Sequence, residues 1–229
     1  MATVRDGTAR DGLRARADNV ADVATKIRQR ILAGDFAPGQ RLVEADICEH
    51  FGASRFTVRV ALQELNNDGL VEIQRNKGAR VRTISVEEAV EITEVRQALE
   101  GLAAARAAER VSAAGAAELR EIAARMRRAV EAAELLAYSD LTARLHALIR
   151  TIAANETCSR TIERLFGQIV RHQFALSLQP GRPAVSLVQH EQIVASIVAG
   201  DPQGADLAMR HHLSSVIDAL RSLPASRAL

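Results

Sequence analysis

The sequence predicts a mostly α fold in two parts: an N-terminal unit of three helices and a β-hairpin, then an all-α bundle. Three observations carry that expectation. Apolar residues recur at helical spacing through most of the 229 residues. Strand-like patterning is confined to residues 70–83. After Val81 the composition shifts to Ala, Leu, Glu and Arg with few Gly or Pro, as in strong helix formers. Hydrophobic residues make up 48% and charged residues 25%, with 13 Gly and 5 Pro, which excludes collagen-like, low-complexity and wholly disordered chains.

Residues 1–18 are polar, with Arg5, Arg10, Arg14 and Arg16 set among Asp and Gly and no apolar period, so a disordered arm is expected there. This stretch lacks the apolar segment of a secretory signal, and no uncharged apolar run approaches the ~18 residues that span a bilayer. A cytoplasmic protein with no membrane partner is expected. Cys48 and Cys158 are far apart, so both read as reduced core residues and not as a disulfide or thiolate cluster. Aromatics at 3% and the absence of Trp argue against a stacking reader of single strands, leaving duplex DNA open.

Residues 19–83 form the first ordered unit. Val20, Val23, Ala24, Ile27 and Ile31 mark an amphipathic helix that ends by Gly34 and Pro38-Gly39. Leu42 to Phe51 offers Ile47, Cys48 and Phe51 as the apolar face of a second helix, and Gly52 supplies a turn. Ser54 is a natural N-cap for a third helix running to about Asp68, with a buried stripe of Val58, Ala61, Leu62 and Leu65. Arg55, Thr57 and Arg59 lie early in that helix, off the stripe, and are expected to face outward together. Two short strands around Gln74 to Gly78 then form a basic tip. Three helices plus this hairpin wing make a winged helix-turn-helix.

That arrangement suits DNA. Residues 1–82 carry 14 Arg or Lys against 11 Asp or Glu, and Arg55, Arg59, Arg75, Lys77, Arg80 and Arg82 crowd into one region. A helix opening with Ser54, Arg55, Thr57 and Arg59 can meet base edges in the major groove, while Lys77 and Gly78 at a hairpin tip can approach the backbone. A winged helix used only for protein contacts is the alternative. The run PGQRLVEADICEHFGASRFTVRVALQELNNDGLVEIQRNKGARV, Pro38 to Val81, resembles the DNA-binding domain of GntR-family transcriptional regulators. The resemblance implies DNA contacts at Ser54, Arg55, Thr57, Arg59, Lys77 and Gly78, with Asn76 adjacent. It departs from the family pattern at Phe56 and Thr57, where Thr-Pro is common, and at Val60, where Glu is common.

Residues 84–222 are expected to form an all-helical domain, followed by a tail at 223–229. Ser85-Val86-Glu87-Glu88 is a capping box. Breaks at 112–115, 138–140, 155–159, 179–183 and 200–202 divide the region into about six helices. His146 shares a helical face with Thr142, Ile149 and Ala153; His190 with Leu187, Ile193, Val194 and Ile197; His212 with Ala205, Met209, Val216 and Leu220. Three inward imidazoles could ligate a divalent metal such as zinc or nickel, or merely satisfy a core.

The segments EVRQALEGLAAARAAER, LTARLHALIRTIAANE, VQHEQIVASIVAGDPQGA and AMRHHL resemble the FCD effector-binding domain of the FadR-like branch of GntR regulators, over roughly Val86 to Leu220. The resemblance implies a divalent metal on His146, His190 and His212, with small carboxylates bound beside it. A carboxylate or amide usually stands one turn before the first histidine, where this chain has Thr142. Arg96 matches a family arginine that can pair with an anionic effector, though Glu100 one turn away offers it a purely structural partner. The expected protein is a non-enzymatic, homodimeric regulator that binds a pseudo-palindromic operator and senses an organic acid. Ala-rich stretches around residues 99–108 and 122–133 are expected at the protomer interface. A metal-dependent hydrolase using the three histidines is the other alternative, although no nucleophile elbow or HExxH motif accompanies them.

Overall fold

The computed structural model describes the backbone of residues 5–75 and 77–223, and side chains from residue 19 onward within those ranges. It divides into two compact units, Met1–Thr83 and Ile84–Leu229.

In the first unit α1 (Arg5–Ala33) buries Val20, Val23, Ala24, Ile27 and Ile31. The helix starts well inside the stretch expected to be a disordered arm. Arg, Ala and Leu dominate residues 9–17, and their intrinsic helix propensity sustains the backbone without an apolar period. Next comes β1 (Arg41–Leu42), whose Leu42 the sequence pattern placed in the second helix. Leu42 is buried opposite Ala79, so its apolar character serves the sheet. Helix α2 (Glu44–Phe51) ends at Gly52, whose φ of 62° lies in the left-handed region that glycine enters freely. Helix α3 (Arg55–Asn67) buries the expected stripe Val58, Ala61, Leu62 and Leu65. Strands β2 (Val71–Gln74) and β3 (Gly78–Val81) complete a three-stranded antiparallel sheet in the order β1-β3-β2. This is the winged helix-turn-helix.

The second unit contains six helices among the described residues: α4 (Val86–Arg110), α5 (Ala113–Glu131), α6 (Leu135–Ala153), α7 (Glu156–Ser177), α8 (Arg182–Val198) and α9 (Pro202–Arg221). Ser85, Ser112, Asn155 and Asp201 each accept a hydrogen bond from a first-turn amide, so four of these starts are fixed by side-chain caps. The break expected at Tyr138 to Asp140 is absent. The chain turns at Ala133 instead, with φ 56°, and α6 runs through Tyr138 because Tyr138, Leu141 and Leu145 form a buried stripe that outweighs the turn-favouring Ser139 and Asp140.

Helix α4 packs along α9 and touches α6, α7 and α8, which places it centrally. At Gly101 the α4–α9 approach is so close that a Cβ would overlap the Asp206 carboxylate and press on Arg210. Of the stretches expected at a protomer interface, Ala124, Ala132 and Ala133 are exposed. Ala103, Ala104, Ala107, Ala108, Ile122 and Ala129 are buried in this bundle's own core. Leu223 is also buried, while residues 224–229 lie outside the described residues. Cys48 and Cys158 are free thiols. No helix among the described residues is long and apolar enough to cross a membrane.

Candidate functional site

Two surfaces carry the chemistry. In the first unit, Ser54 caps α3: its Oγ accepts from the Thr57 amide at 3.1 Å and lies 2.9 Å from the Thr57 hydroxyl. Thr57 is consequently only 7% exposed. It does not face outward with the arginines as expected, because its hydroxyl meets the Ser54 cap and it lies one turn before buried Ala61. Ser54, Arg55 and Arg59 are exposed. The Arg59 Nε donates to both Glu44 carboxylate oxygens at 2.9 and 3.1 Å, joining α2 to α3 at an exposed position. At the wing, Lys77 and Gly78 are exposed, and Gly78 has φ 81°. Asn76 lies outside the described residues.

In the second unit His146 on α6, His190 on α8 and His212 on α9 converge, with their candidate ligand atoms within 4.8 Å of one another. Each ring is held from behind through Nδ1. His146 Nδ1 lies 2.7 Å from Glu100 Oε2, His190 Nδ1 lies 3.2 Å from the Tyr138 hydroxyl, and His212 Nδ1 lies 3.0 Å from Gln189 Oε1. An Nδ1–H donated to the Glu100 carboxylate and to the Gln189 carbonyl leaves the Nε2 lone pairs turned inward. The Nε2 atoms of His146 and His190 stand 3.3 Å apart. Two lone pairs at that distance repel unless a cation or a proton lies between them.

The electrostatics favour neutral rings at His190 and His212. Burial, then the neighbouring His146, hold His190 well below the ordinary imidazole range; burial, then His190, do the same to His212. Burial pushes the Tyr138 phenol up to about 12, so it remains a neutral hydroxyl whose oxygen can accept from His190 Nδ1–H. For Glu100 burial acts to raise the pKa, but the Arg96 guanidinium and His146 outweigh it and hold the carboxyl below its usual range. Arg96 donates to Glu100 Oε1 through Nε and Nη2 at 2.9 and 2.6 Å, and its guanidinium lies 5.0 Å from the centre of the Phe166 ring.

The histidines open on a cavity of about 340 Å³ whose walls include Arg96, Thr142, Arg150, Phe166, Gln173 and Arg182. Among the described residues, seven buried side-chain polar atoms lack a hydrogen-bond partner. Five of them, Arg96 Nη1, Thr142 Oγ1, Arg150 Nε, Gln173 Nε2 and Arg182 Nη2, belong to residues lining this cavity. Helical spacing put His146, His190, His212 and Thr142 on inward faces, and the family resemblance singled out Arg96. Neither located Tyr138, Gln189, Gln173 or Arg182, whose sequence context resembles any helix surface. Glu100 was visible only as a partner for Arg96.

A winged helix joined in sequence to a helical bundle with a histidine-lined cavity is the build of a DNA-binding regulator. Residues 19–81 match the family model described as bacterial regulatory proteins, gntR family, and residues 91–215 match the FCD domain. The chain belongs to the GntR family of transcriptional regulators and carries an FCD domain. It is 28% identical to the HTH-type transcriptional repressor RspR of Escherichia coli K12, over 86% of each chain. It is also 28% identical to a probable D-xylose utilization operon transcriptional repressor of Paenarthrobacter nicotinovorans, over 86% of this chain and 88% of that one. The solved structure of E. coli McbR/YncC shares the fold with a TM-score of 0.74 at 20% identity, covering 89% of this chain and 97% of that one.

Proposed function

We propose that this regulator couples operator binding by the winged helix to capture of a small organic acid in the histidine-lined cavity, with a divalent metal on His146, His190 and His212. The supporting observation is the concentration of unpartnered buried donors on that one cavity: an orphaned buried donor costs roughly 1–3 kcal/mol, and a ligand rich in acceptor oxygens relieves several at once. Three of those donors belong to arginines, so the ligand is anionic. Arg96 and Thr142 stand among its contacts. A bound divalent metal would act as a Lewis acid for the ligand's oxygens, and Glu100, Tyr138 and Gln189 would fix the imidazoles that hold it.

On the DNA side, Arg55 and Arg59 contact base edges, while Ser54, Lys77, Gly78 and Asn76 position the backbone. One winged helix reads a short half-site, so a homodimer on a pseudo-palindrome supplies the specificity. The effector changes operator affinity by its differential affinity for two arrangements of the protein.

The test is a thermal-shift screen of small carboxylates with and without zinc or nickel. A ligand present at a hundredfold its Kd stabilises by ~2.7 kcal/mol and raises Tm by about 5–10 °C. That acid should also change operator retention in a gel shift. No shift with any acid, metal-loaded or metal-free, would overturn the sensing assignment.

A further inference from the structure

We infer that Phe56 is a specificity-determining residue that reads the C5-methyl group of a thymine in the major groove. The inference rests on the reading of α3 as the DNA-facing helix. Phe56 is 69% exposed, whereas the unit's other two phenylalanines, Phe36 and Phe51, pack against its core. Its position is locked. The Ser54 cap fixes the first turn of α3, and the next two residues, Thr57 and Val58, point inward, which turns Phe56 to the opposite side. Arg55 precedes it and Arg59 follows one turn later, both exposed, and Gln63 continues the same face. On α3 the ring is thus flanked by the exposed cationic and polar side chains of Arg55, Arg59 and Gln63.

That setting selects the occupant. An isolated ring flanked by polar groups is too small for a protein-docking patch, which needs contiguous apolar area. Flanking arginines favour a polyanion. Along the floor of the major groove the thymine methyl is the apolar group on offer; the other base edges there present donors and acceptors. A phenyl ring on the first turn of a helix entering that groove, with exposed Arg55 beside it and Arg59 held through Nε by Glu44 one turn on, fits a thymine next to an arginine contact.

The test begins with selection of duplexes from a random library by the wild-type full chain. Each thymine of the enriched duplex is then replaced in turn by uracil, which removes the methyl alone. For wild type, one thymine per half-site should lose about fourfold in affinity on replacement, the worth of one buried methyl. Phe56→Ala should keep the wild-type melting temperature, since the ring is exposed, and should bind thymine and uracil duplexes equally. Phe56→Leu should keep part of the discrimination. Indifference of the wild type to uracil at every position, or an unchanged thymine-to-uracil ratio in Phe56→Ala, overturns the inference. Failure of wild type to enrich any duplex overturns the DNA-reading assignment itself.

Discussion

Replacing Glu100 by glutamine tests the buried network most directly. The Arg96 and Glu100 side chains are 4% and 3% exposed, so water screens the pair little. The carboxylate takes two donors from Arg96 and one from His146. Removing its charge leaves a guanidinium in the interior, opposed only by an amide oxygen and the face of Phe166. Breaking a buried pair from one side costs about 3–5 kcal/mol; the residual amide contact puts the expectation near the lower end, ~3 kcal/mol. For a chain of this size that is a fall in Tm of about 6–12 °C, measured by calorimetry or urea denaturation. A double variant, Arg96→Met with Glu100→Gln, should recover much of the loss, because the uncompensated cation is gone. Under the proposed metal reading, Glu100→Gln also weakens the orientation of His146 and should cut metal affinity by about 10–100-fold. A Glu100→Gln protein within 0.5 kcal/mol of wild type would refute the view that the ion pair is desolvated.

Gly101→Val should destabilise the helical unit by about 1–3 kcal/mol through overpacking of α4 on α9, seen as a lower urea midpoint, while Gly101→Ala should cost less because the Asp206 carboxylate can swing aside. Thr142→Asp should tighten zinc or nickel binding in calorimetric titration, and alanine at any of His146, His190 or His212 should lower metal content; equal affinity in wild type and Thr142→Asp would show that Thr142 stands away from the metal. Lys77→Ala should weaken binding to all duplexes and reduce the slope of log affinity against log salt by about 0.9, the share of one phosphate contact; an unchanged slope would remove the wing tip from the interface.

Much of the fold was legible because helical stripes are local. Val58, Ala61, Leu62 and Leu65 give the buried side of α3 directly, and Ile149 and Ala153 that of α6. Two of the misreadings share a cause. Leu42 supplies an apolar residue at a helical interval, yet it is captured by a two-residue strand whose partner, Ala79, lies far along the chain. Ser139 and Asp140 are turn-formers, overruled by the burial of Tyr138 against His190 on another helix. Thr57 stands one turn before Ala61 and two before Leu65, so the helical period already sets it at the edge of the buried stripe, and the Ser54 cap fixes it there. The three histidines were legible because each lies on a stripe. Their supports were not, because Glu100, Gln189 and Tyr138 meet them across helix packing that no local pattern records.

The charge balance of the cavity links the two proposed ligands. Arg96, Arg150 and Arg182 line it, against the carboxylates of Glu100 and Asp140. Glu100 is already committed to Arg96 and His146, and Asp140 is exposed. Thr142 contributes an oxygen without charge. A divalent ion placed on three neutral imidazoles here would keep nearly its full charge while facing further cations, so the ion alone is disfavoured relative to a site that includes a carboxylate ligand. An acid that supplies the missing negative charge removes that penalty, and the same ion strengthens the acid's binding by the same factor, since linkage between two bound ligands is reciprocal. Under the proposed metal reading, Thr142 in place of a charged ligand thus makes metal retention depend on the effector.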